Sequence, residues 1–122
     1  ARLVGVHHDL VAVVCLAAEQ SPVDFIVTEG LRTLDKQKAL LAAGASRTLK
    51  SRHLRTTNGV CHAVDLAAMV EGEVRWDWPL YERIAKAMKS AAAEVSVPLE
   101  WGGDWKQFKD GCHFQLPWAE YP

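Results

Sequence analysis

The alternation of apolar and polar positions predicts three helices. Apolar residues recur at helical spacing in residues 7–20, with Asp9 as the expected N-cap, and in residues 79–95, the longest of the predicted helices. A shorter helix is predicted to follow Thr33 and to end at Gly44.

Short runs rich in β-branched and aromatic residues predict the strands. The segments are VDFIVTEG, HAVDLAAMV, EGEVRW, PLEWGG and CHFQL. Helices and strands follow one another without a regular β-α-β order, which favours an α+β fold over a doubly wound parallel sheet. We find no repeat, linker or low-complexity tract, so residues 1–122 are predicted to form a single domain.

Composition narrows the class of protein. The 122 residues are 49% hydrophobic and 24% charged, with a net charge of -1. This balance supports a core without disulfides and offers no basic surface for nucleic acid. No apolar run is long enough to span a bilayer, and LVAVVCLAAE, bounded by charges, is read as a helix rather than a signal peptide. We therefore expect cytoplasmic synthesis, with no stable membrane association.

Two histidines and an aspartate are candidate metal ligands. His53, Asp65 and His113 would supply the three protein ligands of a catalytic zinc ion, with a fourth position open to water. Asp65 lies in an otherwise apolar strand, where a carboxylate needs a partner or a metal. A surface role for His53 and a core role for His113 explain the histidines equally well. Spacing alone leaves both interpretations open.

Two further residues could take part in hydrolysis. Asp110 precedes His113 by three residues, where its carboxylate could shuttle a proton from water activated by zinc, or could simply cap a turn. Arg32 follows a predicted strand and could clamp a carboxylate or polarise a carbonyl. A salt bridge from Arg32 to Glu29 or Asp35 is the alternative.

The order of VTEGLRT, SRHL, HAVDL, WGGDW and D-x-x-HFQL resembles the M15 family of zinc peptidases. Within that family the phage endolysins that act as L-alanyl-D-glutamate endopeptidases are the nearest match, over about Leu3 to Trp118. The resemblance implies a D-alanyl-D-alanine peptidase-like fold, a small antiparallel sheet flanked by helices. It also implies one zinc ion, and the positions that match the family's ligands are His53, Asp65 and His113.

The resemblance also assigns roles around the metal. It implies that Asp110 is the general base and that Arg32 stabilises the transition state. Ser51 and Gln37 match positions that line or support the cleft. Trp101 could form the floor of a peptide cleft, with packing in the core or at the rim as the alternative.

The sequence departs from the family pattern between the first two ligands. The pattern S-x-H-x-x-G-x-A-x-D separates histidine from aspartate by seven positions, whereas His53 and Asp65 are twelve apart. Cys61 stands where the motif has glycine, and the extra residues are expected to bulge out as a loop at RTTNG. His62 is a competing ligand, but its position in the strand predicts that it faces away from Asp65.

The resemblance implies a monomeric enzyme that cuts the peptidoglycan stem peptide between L-alanine and D-glutamate during phage lysis. A holin-type factor would release it to the cell wall in the periplasm. A D-alanyl-D-alanine carboxypeptidase with the same site is one alternative, and a wall-binding module without activity is another.

Cys61 and Cys112 could form a disulfide or remain two buried thiols. Counting alternate positions of the strand from His113 predicts that Cys112 points away from the metal.

Overall fold

The computed structural model describes residues 2–44, 51–56, 59–107 and 109–122. The helices are α1 (His8–Gln20), α2 (Leu34–Ala42) and α3 (Trp78–Glu94). The strands are β1 (Asp24–Glu29), β2 (Ala63–Val70), β3 (Glu73–Arg75), β4 (Glu100–Trp101) and β5 (His113–Gln115). The predicted α+β class and each predicted element are confirmed.

Capping side chains fix the starts of two helices. Thr33 accepts a hydrogen bond from the backbone N of Lys36 and so caps α2, which begins at Leu34 as predicted. The prediction that Asp9 caps α1 is wrong. The Nδ1 atom of His7 takes the backbone N–H of Asp9 instead, so the helix begins at His8 and Asp9 lies in its first turn.

All strand pairs in the sheet are antiparallel. The order is β1-β2-β5-β4, and β3 pairs with the outer part of β2. The turn between β2 and β3 is made by Glu71 and Gly72, which have positive φ angles of 52° and 80° and so match the tight hairpin turn. The predicted small antiparallel sheet is confirmed.

The two faces of the sheet have different environments. Val64, Leu66 and Ala68 of β2 and Phe114 of β5 belong to one buried cluster, which also contains apolar residues of α1 and α3. Because successive side chains of a strand point to opposite faces, Asp65 and His113 lie on the other face. The hydrophobic core therefore supports the sheet from one side and leaves the opposite face for polar chemistry.

A bulge in β1 changes which of its side chains reach that polar face. Val27 pairs with Leu66, but the next paired residue is Glu29, opposite Asp65, so β1 carries one extra residue at this point. Bulges redirect side chains in this way and are frequent beside active sites. The bulge therefore puts Glu29 next to Asp65.

Among the described residues, no helix has both the length and the apolar character needed to cross a membrane.

Candidate metal centre and active site

Asp65 lies between the two histidines on the polar face of the sheet. Asp65 and His113 are paired residues of β2 and β5, and His53 comes from the loop that precedes β2. The Oδ1 atom of Asp65 is 3.2 Å from Nε2 of His53 and 3.1 Å from Nδ1 of His113. One potential ligand atom from each residue lies within 4.8 Å of the others. The structure thus brings together the three predicted ligands.

The ring of His53 is oriented by backbone groups. Its Nδ1 atom lies 2.8 Å from the carbonyl oxygen of Gly30, which can only accept, so Nδ1 carries the hydrogen. This leaves the lone pair of Nε2 directed at Asp65. The turn around His53 is fixed by its backbone N–H, which donates to Oγ of Ser51, and by its carbonyl, which accepts from the backbone N of Arg32 at 2.8 Å.

His113 is oriented by a side chain. Its Nε2 atom lies 2.8 Å from Oε1 of Gln115, two residues along the same strand and therefore on the same face. The opposite nitrogen, Nδ1, faces Asp65. His113 thus presents Nδ1, and His53 presents Nε2, to the same carboxylate.

Asp65 and His113 stabilise the charged forms of each other. Burial opposes ionisation of Asp65, but hydrogen bonds and attraction from the two histidines outweigh it and lower the pKa of the carboxyl group. Burial likewise opposes protonation of His113, yet its bonds to Asp65 and Gln115 raise the pKa of the ring. A cation at this position is therefore favoured, whether a proton on His113 or a metal ion.

These residues fit a zinc ion. Two imidazole nitrogens and one carboxylate oxygen form the donor set of many catalytic zinc sites, in which the fourth position stays open. His53 and His113 are only 2% and 7% exposed, and each directs one ring nitrogen at the carboxylate of Asp65. Each ring also has an outer hydrogen-bond partner, as metal-binding histidines usually do.

Asp110 borders the three ligands. An oxygen of its carboxylate, an oxygen of Asp65 and the sulfur of Cys112 all lie within 4.8 Å of one another. Backbone contacts hold Asp110 close to Gly102. The N–H of Asp110 donates to the carbonyl of Gly102 at 3.0 Å, and a Cβ added to Gly102 would lie 2.3 Å from the backbone carbonyl oxygen of Asp110. Asp110 is therefore held beside the candidate metal centre.

The prediction that Cys112 points away from the metal is wrong. Its thiol donates to Oδ1 of Asp110 at 3.0 Å and lies near Asp65. Strand alternation does not apply to Cys112, because β5 begins one residue later at His113. Cys61 is buried and donates to the carbonyl of Ala63, and all three cysteines, each within the described residues, are free thiols.

Arg32 is held by two neighbours on the same side of the sheet. Its Nε atom donates to Glu29 at 2.5 Å, and Nη1 donates to Oε1 of Gln37 at 2.6 Å. Nη2 reaches to 3.9 Å from Oδ2 of Asp65. The salt bridge from Arg32 to Glu29, given above as the alternative, is therefore present. It also orients the guanidinium group towards the candidate metal centre.

The remaining predicted cleft residues lie at different depths. Gln37 is fully buried, where it supports Arg32. Trp101 is 7% exposed, donates from Nε1 to the carbonyl of Gly111 and stacks on Phe114, which corresponds to the core-packing alternative. Trp105 has its ring centre 5.3 Å from that of His113.

The loop expected between the first two ligands is closed at its base. The backbone N and the hydroxyl of Thr56 both donate to the carbonyl of Val60 at 2.9 Å. Residues 57 and 58, in the middle of the expected bulge, lie outside the described residues. His62 faces elsewhere: its ring lies 5.3 Å from that of His7, and neither nitrogen has a hydrogen-bond partner among the described residues.

Three residues of the site were not found from the sequence. They are Gly30, whose carbonyl orients His53, Gln115, which orients His113, and Glu100, which accepts a hydrogen bond from Gln115 at 3.3 Å. The two-residue spacing of His113 and Gln115 was a visible signal. A backbone carbonyl such as that of Gly30 leaves no mark in a side-chain pattern.

Comparison with known proteins gives a consistent result. The family model for phage L-alanyl-D-glutamate peptidase matches residues 1–114. An L-alanyl-D-glutamate peptidase of Listeria phage A118 is 36% identical over 85% of this chain and 34% of its own length. The peptidase of that name from Escherichia phage T5 is 30% identical over 89% of this chain and 79% of its own length.

A solved structure is similar over almost the whole chain. The L-Ala D-Glu endopeptidase ChiX of Serratia marcescens superposes with a TM-score of 0.91 and 50% sequence identity, covering 99% of this chain and 87% of the other. The chain spans only about a third of the Listeria phage relative, 34% of its length, so that relative contains a large part with no counterpart here.

Proposed function

The chain belongs to the phage L-alanyl-D-glutamate peptidase family, and we propose that it hydrolyses the bond between L-alanine and D-glutamate in the peptidoglycan stem peptide. The observation that carries the proposal is the set of two histidines and an aspartate with a second carboxylate, Asp110, beside it. This is the arrangement that metal-assisted amide hydrolysis needs: a cation site and a nearby proton carrier.

His53, Asp65 and His113 would hold one zinc ion. When bound, the ion supplies Lewis-acid polarisation of the scissile carbonyl and lowers the pKa of water. The three side chains keep the coordinating atoms directed at one point, because each histidine is anchored on its far side by Gly30 or Gln115. The low pKa of Asp65 keeps its carboxylate charged at every physiological pH.

Asp110 would carry the proton. A carboxylate within a few ångströms of the ligand set can accept a proton from the attacking water and return it to the leaving amine. The thiol of Cys112 donates to one oxygen of this carboxylate, which leaves the other oxygen for the proton. Asp110 would therefore act first as base and then as acid.

Arg32 would stabilise negative charge on the substrate. Its Nε and Nη1 groups are bound to Glu29 and Gln37, so the guanidinium is held in one orientation before substrate arrives. Preorganised donors of this kind lower the barrier because they do not reorient as charge develops. The group that Arg32 contacts would be the developing oxyanion or a carboxylate of the stem peptide.

The biological role would be that of a phage-type endolysin, acting as a monomer in the lysis of a bacterial host. The wall lies outside the host membrane, so an enzyme made in the cytoplasm would reach it through a holin-type pore. Two of the relatives are phage peptidases, which supports this role.

Digestion of purified peptidoglycan tests the proposal. The zinc-loaded protein should generate new amino termini on D-glutamate, identified by mass spectrometry, and Asp110→Asn should not. Release of free alanine from the carboxyl end of an intact stem peptide would instead establish a D-alanyl-D-alanine carboxypeptidase. Binding to the wall without any new amino group would establish a module without catalysis.

A further inference from the structure

We propose that Glu100 and Gln115 form a hydrogen-bond relay that determines which nitrogen of His113 binds the metal. Both are positioning residues, since they would act through His113 and not on the substrate. The inference rests on the proposed role of His113 as a metal ligand.

The relay runs across the polar face of the sheet. Gln115 lies in β5 opposite Glu100 of β4, and two residues earlier His113 lies opposite Asp65 of β2. The contacts are continuous: Glu100 Oε2 is 3.3 Å from Nε2 of Gln115, and Oε1 of Gln115 is 2.8 Å from Nε2 of His113. Gln115 is 7% exposed, so water has little access to the middle of the relay.

The chemistry of the end group gives the relay a direction. A carboxylate at Glu100 can only accept hydrogen bonds, so Gln115 turns its amide NH₂ towards Glu100 and its carbonyl oxygen towards His113. That oxygen also can only accept, so Nε2 of His113 must carry a hydrogen. In the neutral ring, the form that binds a metal ion, the lone pair then resides on Nδ1, the nitrogen 3.1 Å from Asp65.

A flipped amide would have the opposite effect. If Gln115 presented its NH₂ group to His113, Nε2 would have to accept and Nδ1 would carry the hydrogen. Nδ1 would then donate to Asp65 and could not bind a metal ion. Glu100 prevents this state, because the flipped amide of Gln115 would place its carbonyl oxygen against the carboxylate of Glu100, and two acceptors repel each other.

The two histidines therefore depend on different kinds of group. His53 is oriented by the backbone carbonyl of Gly30, which no side-chain substitution removes. His113 is oriented by two side chains, so its orientation can be tested by substitution without changing any metal ligand. Loss of such an outer partner typically weakens metal binding about 10- to 100-fold.

Three variants test the relay. Gln115→Met keeps the length of the side chain but removes its acceptor, and zinc should bind about 10- to 100-fold more weakly. Glu100→Gln leaves Gln115 in place but allows its amide to flip, so a smaller loss of about 10-fold or less is expected. The double variant Glu100→Gln/Gln115→Glu exchanges amide and carboxylate. The new carboxylate at position 115 again accepts from Nε2–H of His113, while the bond between positions 100 and 115 reverses and is still made, so the affinity should recover.

Zinc affinity is measured by competition with a chromophoric chelator, and folding is followed by circular dichroism. Glu73→Gln on the exposed strand β3 is the matched control, because it removes the same charge from the same sheet. In the zinc-loaded protein, NMR should show zinc on Nδ1 of His113 and a slowly exchanging hydrogen on Nε2. That hydrogen should exchange faster in Gln115→Met.

The relay is overturned if zinc sits on Nε2 of His113, or if folded Glu100→Gln and Gln115→Met bind zinc as tightly as Glu73→Gln does. A double variant no better than Gln115→Met would also overturn it, even if Gln115→Met itself misfolds. The proposed function can fail separately: zinc affinity would then follow the relay while peptidoglycan stays uncut.

Discussion

A methyl group added at Gly30 should weaken metal binding although Gly30 contacts no metal. Its carbonyl oxygen lies 2.8 Å from Nδ1 of His53 and fixes the ring. A Cβ built on Gly30 would lie 2.4 Å from the carbonyl oxygen of Arg2 and 2.8 Å from Cγ2 of Val6. Gly30→Ala therefore perturbs a position packed from two sides.

The size of the displacement follows from these contacts. Ordinary contact begins at 3.4 Å, so the pair at 2.4 Å must separate by about 1 Å. Val6, which makes the second close contact, cannot simply move aside, because the backbone on either side of it is bound: Cys61 donates to Gly5 at 2.8 Å, and His7 donates to Cys61 at 2.9 Å. Even half of the movement at Gly30 would stretch its bond to His53 to about 3.3 Å, past the usual length for N–H···O.

We expect Gly30→Ala to lose about 1–3 kcal/mol of unfolding free energy through overpacking. We expect its zinc affinity to fall about 10-fold or more through the displaced carbonyl. Urea denaturation and chelator competition measure the two effects separately.

Gly72→Ala is the control for instability alone. Gly72 has a φ of 80° in the β2–β3 turn with open space around it, so alanine there is strained without any contact to the site. Both variants should be destabilised, but only Gly30→Ala should bind zinc more weakly. Equal zinc affinity in the two variants would refute the argument that the Gly30 carbonyl orients His53.

Three other variants probe single groups. Asp110→Asn should retain zinc and lose about 10²- to 10⁴-fold in turnover, and full activity would remove Asp110 from the mechanism. Arg32→Lys should lower kcat, because an ammonium group cannot bind Glu29 and Gln37 and still reach the substrate; unchanged kinetics would contradict this. Burial, with repulsion from nearby cations, lowers the pKa of His62 to about 4 from 6.5, so the unfolded chain binds the extra proton and stability falls as pH drops between these values. Between pH 7 and pH 4 the unfolding free energy of His62→Phe should therefore rise by about 2–3 kcal/mol relative to that of the wild type. If the difference in unfolding free energy between the two proteins does not change with pH, the ring of His62 takes up its proton as readily in the folded chain as in the unfolded one.

Much of the fold followed from local patterns, because those patterns reflect forces that act locally. Periodic apolar positions predicted α1 and α3 correctly, since a helix face is set by its own 3.6-residue repeat. α2 was predicted to follow Thr33, and the hydroxyl of Thr33 accepts from the backbone N of Lys36, three residues on. The three candidate metal ligands were found by motif; the sheet pairs Asp65 with His113, and the loop before β2 brings His53 to them.

The errors and omissions concern contacts made between distant segments. The bulge that brings Glu29 beside Asp65 depends on the register of β1 against β2, which alternation within β1 does not encode. The contact of the Cys112 thiol with Asp110 was missed because the alternation was extended one residue beyond the start of β5. Glu100 and Gln115 meet only because β4 pairs with β5.

The long spacing between His53 and Asp65 is compatible with the candidate site because the described residues at the base of the extra loop are bound to the fold. The carbonyl of His53 is bound by the backbone of Arg32, and the carbonyl of Arg52 by the backbone N of His62, so both ends of the segment are tied to the fold. Between them, Thr56 and Val60 close the loop. Lengthening a loop from seven to twelve positions is less than a doubling and costs less than about 0.6 kcal/mol. The insertion is therefore inexpensive in stability, and the geometry of the ligands depends on the hydrogen bonds at its base rather than on its length.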